Sequence, residues 1–407
     1  VSTPAKIGLL GRGTVGGAFW DLLAERAPAV EAATGRHPEV VGPLRRSEGR
    51  FEDILEESEI IVELMGGTDP ARDHVLAAIQ AGRHVVTANK QLIAQHGDEL
   101  FAAAREKGVQ LRFEAAVAGV VPVIRVIQES LAATKITKVF GIVNGTTNFI
   151  LSEMATTGAS YDETLKRAQE LGYAEADPSD DVNGADAAAK MAILARLAFH
   201  SPVSLDDVSY EGITAIQPED MAYAKEFGLS LKLLGVAEHV GGGLSVRVFP
   251  CFLHKAHPLA PVEGPFNAVM VEAPTITEIT MSGPGAGGPE TATAVLGDVV
   301  SILSGHAPVH EARERLEIVT DVPSSFYLHL EVADRPGVLA QVAEVLGRNH
   351  VSVESVLQRG LEEDARLVMV MHEGPESRFW AALEEIAKLD FLRSKPRAIR
   401  VIEEEFV

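Results

Sequence analysis

The chain has 407 residues, with 36 basic and 58 acidic side chains and a formal net charge of −22, which excludes non-specific binding to nucleic acid or to an anionic membrane surface. The length holds roughly two to four domains with cores of their own, and an apolar share of 46% is ordinary for a globular chain. A lone cysteine, Cys251, rules out an internal disulfide; no apolar run spans a bilayer and residues 1–6 lack a secretion-signal core, so a cytoplasmic location without membrane attachment is expected.

Residues 5–10 read as a buried strand, and Gly11-Arg12-Gly13-Thr14-Val15-Gly16 follows at once, leading into an amphipathic helix through Phe19, Leu22 and Leu23. This is G-x-G-x-x-G in strand–turn–helix context. Its glycines permit a tight turn and close approach of backbone to a pyrophosphate at the helix N-terminus. The bland alternative is a plain tight turn. The second strand, 39–44, ends in Arg45-Arg46 where an acidic residue would bind the ribose of NAD. Paired arginines suit a 2′-phosphate and favour NADP; a solvated surface pair is the alternative.

Strands at 59–64, 84–87 and 109–114 alternate with helices at 71–81 and up to Lys107, which predicts a parallel sheet. Ligands bind at the carboxyl ends of such strands. The segments there are Met65-Gly66-Gly67, Ala88-Asn89-Lys90 and Glu114 to Val121. Lys90, at a strand end beside a helix start, is a candidate for substrate or cofactor contact. The Glu114 loop offers one carboxylate and several carbonyls, which could hold a hard monovalent cation or be simply a strand end.

A helix is expected from Pro122 to about Ala132, a strand over 136–143, and then the polar cluster Asn144-Gly145-Thr146-Thr147-Asn148. Helices at 148–170 and 183–199 and strands at 229–239, 244–253, 266–272 and 276–282 suggest an α+β unit. Gly283-Pro284-Gly285-Ala286-Gly287-Gly288 is a second glycine-rich turn, before a helix over 291–303 that could return to the first unit.

The stretch from Gly172 to Lys190 carries Glu175, Asp177, Asp180, Asp181 and Asp186 together with Lys190. Asn183 is a good N-cap for its helix. Asp186 and Lys190 are four apart and share a face with Ile193 and Leu197. A carboxylate and an amine on an apolar stripe are costly unless paired or used, so the readings are a buried ion pair or a polar substrate site. His254 and His257 form a weak metal spacing, and Cys251 reads as a core residue. Residues 306–324 read as a linker, and the remainder follows the ferredoxin-like order βαββαβ.

Gly-Arg-Gly-Thr-Val-Gly (11–16), Val-Thr-Ala-Asn-Lys (86–90), Glu-Ala-Ala-Val-Ala-Gly (114–119), Gly-Ile-Val-Asn-Gly-Thr-Thr-Asn (141–148), Gly-Tyr-Ala-Glu-Ala-Asp-Pro (172–178) and Gly-Pro-Gly-Ala-Gly-Gly (283–288) together resemble homoserine dehydrogenase over residues 5–305. The tail is similar to an ACT domain, with Asp334-Arg335-Pro336-Gly337-Val338-Leu339 as its ligand loop. The resemblance implies an α/β fold: a Rossmann-type parallel-sheet domain (1–132, with helix 288–305), an α+β substrate and dimerisation domain (133–305), a linker (306–324) and an ACT regulatory domain (325–407).

It implies interconversion of L-homoserine and L-aspartate 4-semialdehyde with NADP or NAD, in a homo-dimer or tetramer. Gly11, Gly13, Thr14, Val15, Gly16, Arg45, Arg46, Met65, Gly66, Lys90, Gly285 and Gly287 would bind cofactor. Glu175, Asp181, Asp186 and Gly172 would bind substrate, with Lys190 as acid/base, Asp186 beside it and Lys90 in the same pocket. Glu114, Val117, Gly119 and Val121 would hold sodium or potassium, and an amino-acid effector, threonine, would bind the ACT loop. The segment between the first helix and Glu59 is short for the family. The rivals are a non-catalytic amino-acid sensor, which has no use for two lysines as proton donors, and a dehydrogenase for another amino-acid-derived aldehyde.

Overall fold

The computed structural model describes residues 3–44, 49–307, 315–361 and 363–402. Arg45 and Arg46 lie outside the described residues. The first unit runs β1 (Thr3–Leu10), α1 (Thr14–Thr34), β2 (Arg36–Leu44), α2 (Phe51–Glu57), β3 (Ile60–Glu63), α3 (Ala71–Gln80), β4 (His84–Thr87), α4 (Lys90–Lys107) and β5 (Leu111–Arg112). Its strands pair in parallel in the order β2-β1-β3-β4-β5. Chain direction across the sheet reverses beside β1, so the loops after β1 and β3 flank a crevice. Short strands with apolar residues at their centres, such as Ile60-Ile61-Val62 and Val85-Val86, are what a sheet covered on both faces requires. Ile7, Leu9, Ile60 and Val62 pack with α1 on one face, and Leu10, Ile61 and Val85 pack with α3 and α4 on the other. The strand expected over 109–114 is shorter, because Glu114, Ala115 and Ala116 close a 3-10 turn instead.

The second unit starts with α5 (Val123–Arg125), which widens into a π turn over Val126–Ser130. It continues through β6 (Lys138–Ile142), α6 (Gly145–Thr157), α7 (Tyr161–Glu170), α8 (Ser179–Val182), α9 (Ala185–Phe199), β7 (Ser209–Tyr210), α10 (Pro218–Glu226), β8 (Leu229–Val240), β9 (Gly243–His254), β10 (Phe266–Ala273), β11 (Thr277–Pro284) and α11 (Gly288–Leu303). The helical span expected at 148–170 is two helices. Gly158 ends the first in a left-handed turn (φ 72°), and Ser160 starts the second with a capping box to Glu163. Helix α10 is absent from the sequence reading, although Pro218 at its first position with Glu219 and Asp220 in its first turn is a start signal. Helix α11 packs back on the first unit, where Ala292, Val295 and Val299 join Phe19 and Leu23.

The third unit is β12 (Pro323–Ala333), α12 (Val338–Arg348), β13 (Val353–Leu361), β14 (Asp364–Met371), β15 (Gly374–Pro375), α13 (Glu376–Ile386) and β16 (Arg397–Ile402). Its sheet order β16-β12-β14-β13 is ferredoxin-like, and Val342, Leu346, Phe379 and Ile386 from its helices cover one face. This sheet is continuous with that of the second unit, β11-β10-β6-β8-β9, because β16 runs parallel to β9 with Arg400 opposite Cys251. The outer edge of β9 is closed in three pieces: Ile318 bridges to Leu244, β7 pairs with Arg247 and Val248, and β16 pairs with Cys251–Leu253. An exposed edge is thereby removed. The stretch expected as a linker is accordingly tied down at Ile318, and β12 already begins at Pro323.

Candidate active site

Helix α9 is built to lie tightly on the sheet. Met191 sits where Gly235 of β8 has no side chain; a Cβ there would be 2.2 Å from Met191 Cγ. Gly141 of β6 also faces the Met191 sulfur. With Met191 seated, the preceding Lys190 reaches the end of β6, where its Nζ donates to the carbonyl of Val143 at 2.7 Å. The expected cap differs. Asn183 closes α8 and its Oδ1 accepts from Ala185 N–H at 2.9 Å, while Gly184 (φ 90°), packed against the Glu211 carbonyl, is the N-cap of α9.

Asp186 joins three elements. Its Oδ2 lies 2.8 Å from Lys190 Nζ, and its Oδ1 pairs with Lys90 Nζ from the first residue of α4. The Asp186 side chain is 3% exposed, Lys190 13% and Lys90 38%. The pair expected on one helix is therefore a triad with one arm open to solvent. Asn144, the N-cap of α6, donates from one Nδ2 to Asp181 Oδ1 at 2.7 Å and to Asp186 Oδ2 at 2.8 Å. Burial disfavours the Asp186 carboxylate, but the Lys190 and Lys90 ammonium groups overcome it and hold its pKa below the usual range. Asp181 shifts the other way, pushed up by burial and by the Asp186 charge against the Asn144 hydrogen bond. The acidic stretch thus divides: Asp181 and Asp186 enter the cluster, whereas Gly172, Glu175, Asp177 and Asp180 are exposed, with Asp177 capping Ser179.

The glycine-rich turns meet at the crevice. Gly11 takes φ 93° with the Leu64 carbonyl 2.6 Å from any Cβ, so the turns after β1 and β3 touch. Gly16 passes as close to the Gly11 carbonyl, while Gly13, the N-cap of α1, has open space where a Cβ would stand. That opening at the N-terminus of α1, where Thr14 and Val15 form its first turn, fits a pyrophosphate. Gly288 lies against Thr14, and Gly285 against the buried Asn267, so the second glycine turn closes onto the first. Met65 and Gly66 follow β3 on the same edge.

The homoserine dehydrogenase family model matches residues 122–300, the homoserine dehydrogenase NAD-binding domain model matches 11–114, and the ACT domain model matches 327–391. The chain belongs to the homoserine dehydrogenase family. It is 40% identical to the homoserine dehydrogenase of a Synechocystis species, over 98% of this chain and 99% of that protein. It is 37% identical to that of Neisseria gonorrhoeae, over 98% of each. The crystal structure of a homoserine dehydrogenase from Thiobacillus denitrificans superposes with a TM-score of 0.93 at 38% identity, covering 98% of this chain and 99% of that one. The chain is therefore an oxidoreductase that uses a nicotinamide cofactor, built from a Rossmann-like parallel sheet, a mixed-sheet catalytic domain and a C-terminal ACT domain.

Elsewhere in this homoserine dehydrogenase, Glu114 is buried and accepts from Ile124 N–H and Arg125 N–H, each at 2.8 Å. Burial and the neighbouring Asp298 push its pKa up to about 7. Ala118 and Gly119 both take positive φ (58° and 63°), which curls the Val117–Val121 backbone beside it. Arg125, paired with Asp298 at 3.1 Å, offsets part of that burial, and a buried carboxylate next to a curled backbone segment is a donor set of the kind a hard cation takes. In the ACT domain, Gly337 (φ 93°) caps α12, Val338 is buried, Leu339 is exposed, and Arg335 pairs with Asp390 at 2.6 Å. His257 is buried with its pKa pushed down to about 4, and its Nδ1 accepts from Leu259 N–H; among the described residues no group of three His, Cys, Asp or Glu could hold a metal ion. Cys251 is fully buried in β9. Among the described residues no helix is long and apolar enough to cross a membrane.

Sequence reasoning did not assign roles to Asn144, Asn267 or the Val143 carbonyl. For Asn144 a signal existed: an asparagine between a strand and a helix is an N-cap, and a cap side chain has one amide group left over.

Proposed function

We propose that the enzyme interconverts L-homoserine and L-aspartate 4-semialdehyde with NADP in preference to NAD, on the route to threonine, methionine and isoleucine. The observation that carries this reading is Asp186, a single buried carboxylate paired with both Lys90 and Lys190. Bound nicotinamide supplies the hydride to the aldehyde carbon, or accepts it from the alcohol. Lys190 holds the proton exchanged with the substrate oxygen, oriented by Asp186 and the Val143 carbonyl. Lys90, the more exposed lysine, contacts substrate in the same pocket. Asp181, Glu175 and the Gly172 turn take the substrate's polar groups, with Glu175 reaching in from an exposed loop.

Gly11, Gly13, Thr14, Val15 and Gly16 hold the pyrophosphate; Met65, Gly66, Gly285 and Gly287 flank the cofactor, and Arg45 and Arg46 take the 2′-phosphate. Glu114 with the carbonyls of Val117, Gly119 and Val121 holds sodium or potassium in a supporting role. Residues 1–132 with helix 288–305 bind cofactor, 133–305 bind substrate and dimerise, and 325–407 regulate. L-Threonine at Asp334–Leu339 inhibits, in a cytoplasmic homo-dimer or tetramer.

The test is oxidation of L-homoserine by the purified protein with potassium present, followed at the absorbance of reduced nicotinamide. Turnover with a higher kcat/KM for NADP than for NAD is expected. A folded protein inert with both cofactors overturns the reading. Millimolar threonine is expected to inhibit and to bind by calorimetry; failure of both removes the effector.

A further inference from the structure

We infer that Glu63 and Thr87 are positioning residues that lock the cofactor-side turn after β3 to the first turn of α4, which carries Lys90. The inference rests on the proposed function for its kinetic readout and stands on a separate set of contacts.

Glu63 closes a strand whose other residues, Ile60, Ile61 and Val62, are all 0% exposed, and Glu63 is itself 0% exposed. A carboxylate in that position is costly unless its oxygens are used. They are, by neutral donors. Oε1 accepts from Met65 N–H at 2.7 Å and Gly66 N–H at 3.4 Å, folding the turn back onto its own strand. Oε2 accepts from the Thr87 hydroxyl at 2.6 Å. Thr87 in turn accepts from Asn89 N–H at 3.0 Å, which commits its one proton to Glu63.

Asn89 then does two things. Its Oδ1 accepts from Leu92 N–H at 3.1 Å and caps α4, and its Nδ2 donates to the Gly67 carbonyl at 2.6 Å. The contacts close a ring: Glu63 to the 65–66 turn, on to Gly67, back through Asn89 and Thr87 to Glu63. Lys90 is the next residue after Asn89 and reaches from this ring to Asp186. A purely packing role would be filled by an apolar side chain like the three before it. The ring instead couples the height of the turn that meets the cofactor to the direction of the lysine that meets the substrate. Satisfied polar networks of this kind specify one arrangement where apolar packing tolerates several.

Two variants separate the arms. Thr87→Val removes the hydroxyl without changing shape and leaves the Glu63 contacts to Met65 and Gly66 in place. Its kcat for homoserine oxidation is expected to fall about tenfold to a hundredfold through misplacement of Lys90. Its NADPH affinity, read by nicotinamide fluorescence, is expected to stay within about twofold of wild type, and Thr87→Ser is expected to restore kcat. Glu63→Ala removes the acceptors of both arms, so it is expected to lower both NADPH affinity and kcat. In a Lys90→Ala background Thr87→Val is expected to lower kcat no further.

Wild-type kcat in Thr87→Val, a loss that Thr87→Ser does not recover, a loss of NADPH affinity in its place, or full additivity with Lys90→Ala each overturn the inference. Should Glu63→Ala fail to fold, the Thr87 pair decides alone. Should wild-type protein bind NADPH yet leave homoserine unoxidised, the proposed function has failed and the cofactor-side arm is read alone: weaker NADPH binding by Glu63→Ala than by Thr87→Val supports it, and equal binding overturns it.

Discussion

Two of the buried charge clusters in this enzyme are built from different cations. At the junction of α4, α6 and α9, Asp186 meets two lysines, one of them 38% exposed at its side chain. At the junction with the ACT domain, Glu376 meets two arginines. Arg400 donates Nε and Nη2 to its two oxygens at 2.8 and 2.7 Å, and Arg247 donates Nη1 at 2.8 Å. Glu238 and Glu211 take the outer N–H groups of Arg247 and Arg400, and the rings of Phe249, Phe326 and Trp380 surround the Arg400 guanidinium.

The difference lies in what each cluster leaves free. Guanidinium groups match carboxylates in a fixed fork and keep their proton, so the cations of the ACT junction stay buried, with side chains 8% and 9% exposed, and the outer Glu211 is its open member. Lysines are point charges that rotate and exchange protons, and Lys90 has solvent on one side. A buried ion pair by itself does not mark a site. A buried carboxylate shared by lysines and partly open is what the proposed reaction uses.

The sharpest test of that contrast is Lys190→Ala. Its kcat is expected to fall by about 10²–10⁴, because on the proposed reading the lost group is the proton donor, with a smaller loss of stability as the buried Asp186 keeps Lys90 alone. A variant with wild-type kcat would move the proton to Lys90 or water. Glu376→Gln is expected to do the reverse: a loss of about 3–5 kcal/mol in denaturant unfolding, from two arginines left short of charge, with kcat/KM of the folded fraction unchanged. Lost turnover without lost stability there would make the ACT junction part of the active site.

Gly235→Ala comes next. It pushes on Met191 and hence on Lys190, so about 1–3 kcal/mol of overpacking is expected together with a lower kcat. Stability loss alone would detach Lys190 from the seating of α9.

The smallest effects are slopes against pH. Asp186 has a folded pKa below its unfolded value of about 3.8, so its pairing stabilises fully above that pH and is lost as pH falls through the lower folded value. Asp181 has a raised folded pKa, so it costs stability as pH rises from about 3.8 through that value. Asp186→Asn is therefore expected to show its full deficit near neutrality, shrinking only below about pH 3.8, whereas Asp181→Asn is expected to gain on wild type as pH rises across its window. Parallel unfolding profiles for the two variants would contradict opposite shifts in adjacent carboxylates.

Much of the fold was legible because it is written in short-range patterns. The β1–α1 turn, the strands of the parallel sheet and the βαββαβ tail follow from apolar runs and helical periods a few residues long. So does the Asp186–Lys190 pair, whose spacing is one helical turn. The misreadings are local too. Gly184, with its left-handed φ, outcompeted Asn183 as cap, and Gly158 broke one helix into two. Undetermined by the sequence, and no misreading, is the exposed placement of Glu175 in the same stretch as Asp181, because a loop has no period that says which way a side chain points.

What the sequence by itself determined, then, is which residue types stand at each turn of the chain: glycines before α1 and α11, a lysine after β4, an aspartate and a lysine one turn apart on α9. Tertiary structure alone decided that Lys90 and Asp186, 96 positions apart, share a hydrogen bond. It also decided that Asn144 holds two carboxylates together and that the ACT sheet continues the catalytic one through β16 and β9. The physical reason is range. Periodicity and capping act over one or two turns, whereas these contacts depend on Met191 seating against Gly235, on Asn89 capping α4, and on an unpaired strand edge that had to be covered.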